Sequence, residues 1–276
     1  MPVRFAICNE VFGGWDFARV GATAKALGYD GLELAPFTLA PAITELTPAR
    51  RRELVNQAAT AGVDIVGLHW LLAHTTGFHL TSPDAGVQTR TADYLIALTR
   101  ACRDLGGDVM VFGSPAQRSR LPGVSAAHAL DAAAATLERV LPALDDCRVN
   151  LCLEPLTRDE TDFMNTCADA LALITRLGHP RVVLHLDVKA MSAESAPVPD
   201  TIRRHAGHAG HFHANDPNRK GPGMGAVDFV PIFAALRQSG YKGWVSVEPF
   251  DYAPDPETVA RKSIDYMRRC IGDLVI

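Results

Sequence analysis

Short apolar runs alternate with longer amphipathic stretches along the whole chain. The runs are Phe5–Cys8, Gly31–Ala35, Val63–Trp70, Asp108–Gly113, Val149–Glu154, Arg181–Asp187, Gly210–His213 and Gly243–Glu248. Each is about the length of a buried strand. Between them lie stretches with helical spacing: Asp16–Leu27, a stretch opened by Thr47 and Pro48, about twenty residues ending near Gly106, Ser125–Leu144, Thr166–Leu177, a weaker one at Pro199–Ala206, Asp228–Gln238 and Pro256–Cys270. Thr47 is a fitting N-cap, and Pro48 suits the first helical position. Gly28, Gly62 and Gly178 stand where helices should stop. Strict alternation demands parallel strands joined by crossover helices. Eight strands, 276 residues and no Gly-x-Gly-x-x-Gly turn after the first strand favour a closed (β/α)8 TIM barrel over an open doubly wound sheet. No linker or composition shift divides the chain, so one domain over residues 1–276 is expected.

In such a barrel, chemistry collects at the carboxyl ends of the strands. The residues that end the runs are Glu33, His69, Glu154, Asp187, His213 and Glu248. Ionisable groups on one rim are costly to bury without a partner, and a divalent cation gives them a shared one. The densest subset is Glu154, Asp187, His213 and Glu248, which end strands five to eight in turn. Three carboxylates and one imidazole favour Mn2+, with Mg2+, Co2+ and Zn2+ as other occupants. Glu154 and Glu248 share a further pattern, each closing its strand just before a proline (LCLEP, VSVEP). The proline keeps the glutamate extended. Two opposed glutamates could take a carbon-bound proton from one face of a substrate and return it on the other.

Composition narrows the partners. Lys plus Arg number 27 and Asp plus Glu 31, a formal net charge of −4. A nucleic-acid binder usually carries a basic excess, so nucleic acid is not an expected partner. No apolar run is long enough to span a membrane, and the first residues lack the pattern of a signal peptide. The six cysteines form no Cys-x-x-Cys pair and read as free, buried thiols of a cytoplasmic protein.

The motifs LCLEPL, LHLDVKAM, HFHANDPNRKGPGMGAVDF and SVEPF resemble those of the sugar phosphate isomerase/epimerase branch of the xylose isomerase-like TIM barrels. That branch includes D-tagatose 3-epimerase, hydroxypyruvate isomerase and inosose dehydratase. The resemblance covers nearly the whole chain. It implies one divalent metal, commonly Mn2+, held by Glu154, Asp187, His213 and Glu248, with Glu154 and Glu248 as the acid/base pair. It implies a substrate contact for Arg219, six residues after His213. Pocket roles are expected of Glu33 and His69. The family's histidine three residues after the metal aspartate is replaced by Ala190, with Lys189 before it. Lys189 could take over a substrate hydrogen bond, or act in proton transfer with a lowered pKa. His185 and His211 read as satisfied core histidines one layer below the ligands. Trp15, Trp70 and Phe112 could wall a sugar pocket or simply pack. The loop Leu71–Pro83, with His74 and His79, reads as a lid or an oligomer contact.

The reading is a metal-dependent isomerase or epimerase of a small keto-sugar or related polyhydroxy carbonyl compound. Its partner is a small sugar-like molecule, and a homo-oligomer is left open. The main alternative is a dehydratase of an inosose-like or keto-sugar substrate, because the same enediolate can expel a β-hydroxyl. Two other classes are a DNA-repair endonuclease of the endonuclease IV type, which needs a trinuclear zinc cluster and a basic face, and a non-catalytic sugar-binding protein, which needs no opposed glutamates.

Overall fold

A computed structural model describes residues 3–272. The eight strands are β1 Arg4–Cys8, β2 Gly31–Leu34, β3 Asp64–Leu68, β4 Val109–Phe112, β5 Asn150–Leu153, β6 Val182–Asp187, β7 Ala209–Ala214 and β8 Trp244–Val247. They pair in parallel in chain order, and β1 closes on β8 to complete the barrel. The helices are α1 Phe17–Leu27, α2 Pro48–Ala61, α3 Ala85–Asp104, α4 Ala126–Glu138, α5 Leu141–Cys147, α6 Cys167–Leu177, α7 Val188–Met191, α8 Val198–His205, α9 Val230–Gln238 and α10 Pro256–Gly272.

The caps explain where several helices start and stop. The Asp16 carboxylate accepts from the Ala18 N–H, and the Thr47 hydroxyl from the Arg50 N–H. Thr166 and Asp169 form a reciprocal capping box at α6. Gly28 stops α1 at φ 98°, a left-handed backbone that favours glycine. Gly67 answers a different need, since a Cβ there would collide with the Val109 carbonyl on the next strand.

Two expectations change. The helix expected over Ser125–Leu144 is two helices, α4 and α5, which meet near Val140. Pro142 lies in the first turn of α5, where its missing N–H is harmless; inside one long helix it would break the hydrogen-bond ladder. The crossover after β6 also holds an extra turn, α7, which the Asp187 side chain opens by accepting from the Ala190 N–H at 2.7 Å. Elsewhere the expected elements stand within a few residues.

Side chains on each strand alternate between two environments. One set packs under the helices in the large apolar core. The other fills the barrel in layers. Its amino-terminal part is apolar, made by Ala6, Val66, Val109, Val111, Cys152 and Trp244. Two residues further along their strands, Ala6 gives way to Cys8, Cys152 to Glu154 and Trp244 to Ser246. The interior thus turns polar toward the carboxyl ends. All six cysteines are buried, and none forms a disulfide among the described residues. No helix among the described residues is long and apolar enough to cross a membrane.

Candidate active site

The polar end of the barrel opens into a cleft of about 700 Å³, whose walls include Trp70, Glu154, Glu160, Lys189, Arg219 and Phe250. Trp70 stacks on Phe250, with ring centroids 5.8 Å apart. Trp70 (φ 51°) and Arg219 (φ 71°) both hold left-handed backbone, which costs a bulky residue energy and is concentrated at functional sites. The Arg219 carbonyl is fixed by the N–H groups of Phe250 and Asp251, at 2.7 and 2.9 Å. Its exposed guanidinium forms no ion pair among the described residues and lies 5.7 Å from the Phe250 ring.

Beneath the cleft a hydrogen-bonded network is centred on His213. Its Nδ1 faces Glu248 Oε2 at 3.0 Å, and its Nε2 faces both oxygens of Glu33, at 3.0 and 3.1 Å. His211 Nε2 meets the same Glu33 at 2.9 Å. His69 sits between Glu248 Oε1 at 3.1 Å and Glu10 Oε2 at 2.9 Å. Burial alone would push Glu33 up, but the two imidazoles reverse that and hold it well below the usual carboxylate range. Burial likewise disfavours a charged His213, yet Glu248 and Glu33 raise it well above its usual value. Glu248 resists burial in the same way, held down to about 2 by His213 and His69.

Glu154 and Asp187 are titrated the other way. Burial, then the charges of Glu248 and Asp187, push Glu154 well up. Burial also raises Asp187, although Lys189 partly offsets it. One Asp187 oxygen caps α7, and the other accepts from Asn215 Nδ2 at 2.5 Å. Arg118 reinforces the end of β5. It is fully buried, and its guanidinium donates to the carbonyls of Glu154 (2.5 Å), Met164 (3.1 Å) and Phe112 (3.4 Å).

These residues fit a cation. One ligand atom each from Glu154, His185, Asp187 and His213 lie within 4.8 Å of one another, and all four residues are buried. Glu248 adjoins them through His213. A Cβ at Gly113 would collide with the Glu154 carboxylate, so the glycine leaves room for that group. Glu33 also meets a familiar requirement of metal-binding histidine, a carboxylate on the far ring nitrogen that fixes its orientation.

The remaining expected residues are spread more widely. Glu33 and His69 are fully buried under the cleft instead of lining it, and both contact the residues above them. Lys189 lines the cleft, but its ammonium is paired with Glu160 Oε2 at 2.6 Å. Burial favours the neutral amine, yet Asp187 and Glu160 more than compensate, so its pKa is raised and not lowered. His211 keeps one bonded nitrogen, whereas neither nitrogen of His185 has a hydrogen-bond partner among the described residues, so His185 is not a satisfied core histidine. Trp70 reaches the cleft, while Phe112 is buried in the core and Trp15 packs on Phe12. His74 packs edge-on against Phe37, and neither it nor His79 joins a ligand group among the described residues.

Sequence reasoning missed Glu10, Arg118, Asn215, Glu160 and Phe250. Glu10, Asn215 and Phe250 each lie two residues beyond a residue that ends or nearly ends a strand, and that spacing was a usable signal. Glu160 and Arg118 sit in irregular loops, and nothing in their local pattern marked them.

Residues 22–270 match the family described as the xylose isomerase-like TIM barrel. The chain belongs to that family. Among relatives, it is 26% identical over 246 residues to an L-ribulose 3-epimerase of Methylomonas sp. (strain DH-1), covering 86% of this chain and 81% of that protein. It is 38% identical over 106 residues to a D-psicose 3-epimerase of Agrobacterium fabrum, covering 38% of this chain and 37% of that protein. Solved members share the fold. D-psicose 3-epimerase from Clostridium cellulolyticum H10 superposes with a TM-score of 0.83 at 20% identity, over 98% of this chain and 99% of that one. A 3-keto-D-glucoside 4-epimerase from E. coli gives 0.85 at 21% identity, over 98% and 100%.

Proposed function

We propose that the chain is a divalent-metal-dependent isomerase or epimerase of a small keto-sugar or related polyhydroxy carbonyl compound. Glu154, Asp187, His213 and Glu248 would hold the cation, expected to be Mn2+ on a count of three carboxylates and one imidazole, with Mg2+, Co2+ or Zn2+ as alternates. When bound, the cation supplies positive charge beside the substrate's carbonyl oxygen and so acidifies the adjacent C–H. The observation that carries the reading is the gathering of buried Glu154, Asp187 and His213, with Glu248 joined to them through His213, at a cleft walled by Trp70, Phe250 and Arg219.

Glu248, kept anionic by His69 and His213, takes the proton from the carbon next to the carbonyl. Glu154 returns one from the other side. His213 is kept in orientation by Glu33. Arg219 reaches substrate oxygens from the rim, and the paired Lys189 and Glu160 form a polar part of the wall beside Phe250. The relatives named above are epimerases of sugars, which supports proton transfer at carbon. None of them supports the dehydratase alternative.

The test is turnover of a panel of keto-sugars in D2O with Mn2+ present. One deuterium should enter at carbon while the product otherwise keeps the substrate's mass. Glu154→Gln and Glu248→Gln should each cut the rate by about 10²–10⁴-fold, the usual contribution of a positioned acid or base. Near-normal rates in either variant would remove its assigned role, and a product lighter by one water would make the enzyme a dehydratase.

A further inference from the structure

We infer that His185 is a fifth side chain of the cation site and supplies it with a second imidazole nitrogen. The inference rests on the metal-dependent reading above. His185 lies on β6, two residues before Asp187 on the same face of the strand and one layer deeper in the barrel. It is fully buried. Its ring stacks on His211 with centroids 5.5 Å apart, and it meets the edge of His213 at 4.2 Å.

What singles it out is its missing partners. His69 and His213 each use both nitrogens on carboxylates, and His211 uses one. Neither Nδ1 nor Nε2 of His185 has a hydrogen-bond partner among the described residues. Buried polar atoms are nearly always satisfied, so a ring with two orphaned nitrogens needs a reason.

Its Nε2 lies 3.9 Å from Glu154 Oε1, too far for a hydrogen bond. That separation is within about 4.2 Å, the sum of a metal–nitrogen and a metal–oxygen bond, so both atoms can share one ion. The clustering of Glu154, His185, Asp187 and His213 ligand atoms within 4.8 Å points to the same place. A second imidazole gives the site more nitrogen character. It should raise the affinity for Co2+ and Zn2+ relative to Mg2+.

The full-length protein, stripped with a chelator and reloaded with Mn2+ alone, provides the test. Pulsed electron paramagnetic resonance counts the nitrogens coupled to the ion. Two nitrogen couplings are expected in the unaltered protein, and one in His185→Leu and in His185→Asn. Co2+ affinity should fall by about tenfold or more in both variants, the scale seen when a metal site loses a supporting group, while Mg2+ affinity changes far less. If His185→Leu fails to fold, the unaltered protein and His185→Asn decide. A single coupling in the unaltered protein overturns the inference and leaves the proposed function standing. A second coupling that persists in the variants also overturns it, because another histidine must then be the source. Failure of the unaltered protein to bind Mn2+ at all overturns both.

Discussion

Glu154 and Glu248 have nearly the same local sequence, an apolar strand ending in Glu-Pro, and both are buried. Their surroundings are opposite. The Glu248 carboxylate is held by His69 at 3.1 Å and His213 at 3.0 Å, and these hold it down to about 2 against the effect of burial. The Glu154 carboxylate receives no hydrogen bond among the described residues, and burial together with the charges of Glu248 and Asp187 pushes it well up. The partners that separate them come from other strands, as far away as His69, 179 residues from Glu248. A local motif therefore sets where a carboxylate stands, and the barrel's closure sets whether it carries a proton. In the cation-free protein the two environments diverge, one favouring the carboxylate and the other the protonated acid.

The sharpest way to break this comparison is to neutralise each glutamate in the cation-free protein. Glu248→Gln leaves two imidazoles facing an amide. It should cost about 3 kcal/mol in urea unfolding at pH 7, the usual scale for breaking a buried pair. Glu154→Gln replaces a buried carboxyl that receives no hydrogen bond among the described residues and that burial pushes toward its protonated form, so it should be neutral or stabilising. Equal losses in the two variants would end the distinction.

Acidity tests the same contrast with opposite signs. A carboxyl with a depressed folded pKa contributes stability above its unfolded value, and that stability is lost as pH falls. For Glu248 the loss should run from the ordinary value of 4.5 down to about 2. Glu154, whose folded pKa is raised, should cost stability as pH climbs above 4.5. The cation-free midpoint of thermal unfolding should therefore decline on both sides. Glu248→Gln should reduce the acid-side loss, to which Glu33 also contributes, and Glu154→Gln the alkaline-side loss, to which His69 and His213 also contribute. Saturating Mn2+, about 100 times its dissociation constant, should add about 2.7 kcal/mol and remove most of the alkaline decline.

The asymmetry explains what the sequence made legible. Strands, crossovers and rim positions follow from two simple periods and the ends of apolar runs, so the barrel and the strand-end polar residues could be placed from local pattern. Pro142 is visible in the sequence as well, and it marks where the single helix expected over Ser125–Leu144 divides into two. The partners were not legible. Glu33 beneath His213, Glu160 on Lys189 and Arg118 on the Glu154 carbonyl join elements far apart in sequence, and only the closed ring brings them into contact. His185 shows the same limit, since nothing local distinguishes its orphaned ring from the bonded ring of His211.

Arg118 offers a smaller perturbation confined to the Glu154 side. Arg118→Met would remove three donors to buried carbonyls and a positive charge that lowers Glu154. The expected loss is about 2 kcal/mol from the unpaired carbonyls. The alkaline decline should grow while the acid side, set by Glu248 and Glu33, keeps its shape. Changes on both sides would mean that the two glutamates titrate as one unit.

The mildest test is Lys189→Met, which keeps much of the side chain's apolar stem and deletes only the ammonium. Its partner Glu160 is about one-third exposed, so losing the pair should cost only about 1 kcal/mol. Lys189 is the strongest charge lowering Asp187, and it also feels Glu154. The variant should raise both carboxyls on the β5–β6 side and extend the alkaline decline. His69 and His213 would still hold Glu248 down, so the acid side should not move. If Lys189→Met shifts the acid side as much as the alkaline one, Glu248 is not set by its two imidazoles alone, and the separation of the glutamates into carboxylate and protonated acid fails at its weakest link.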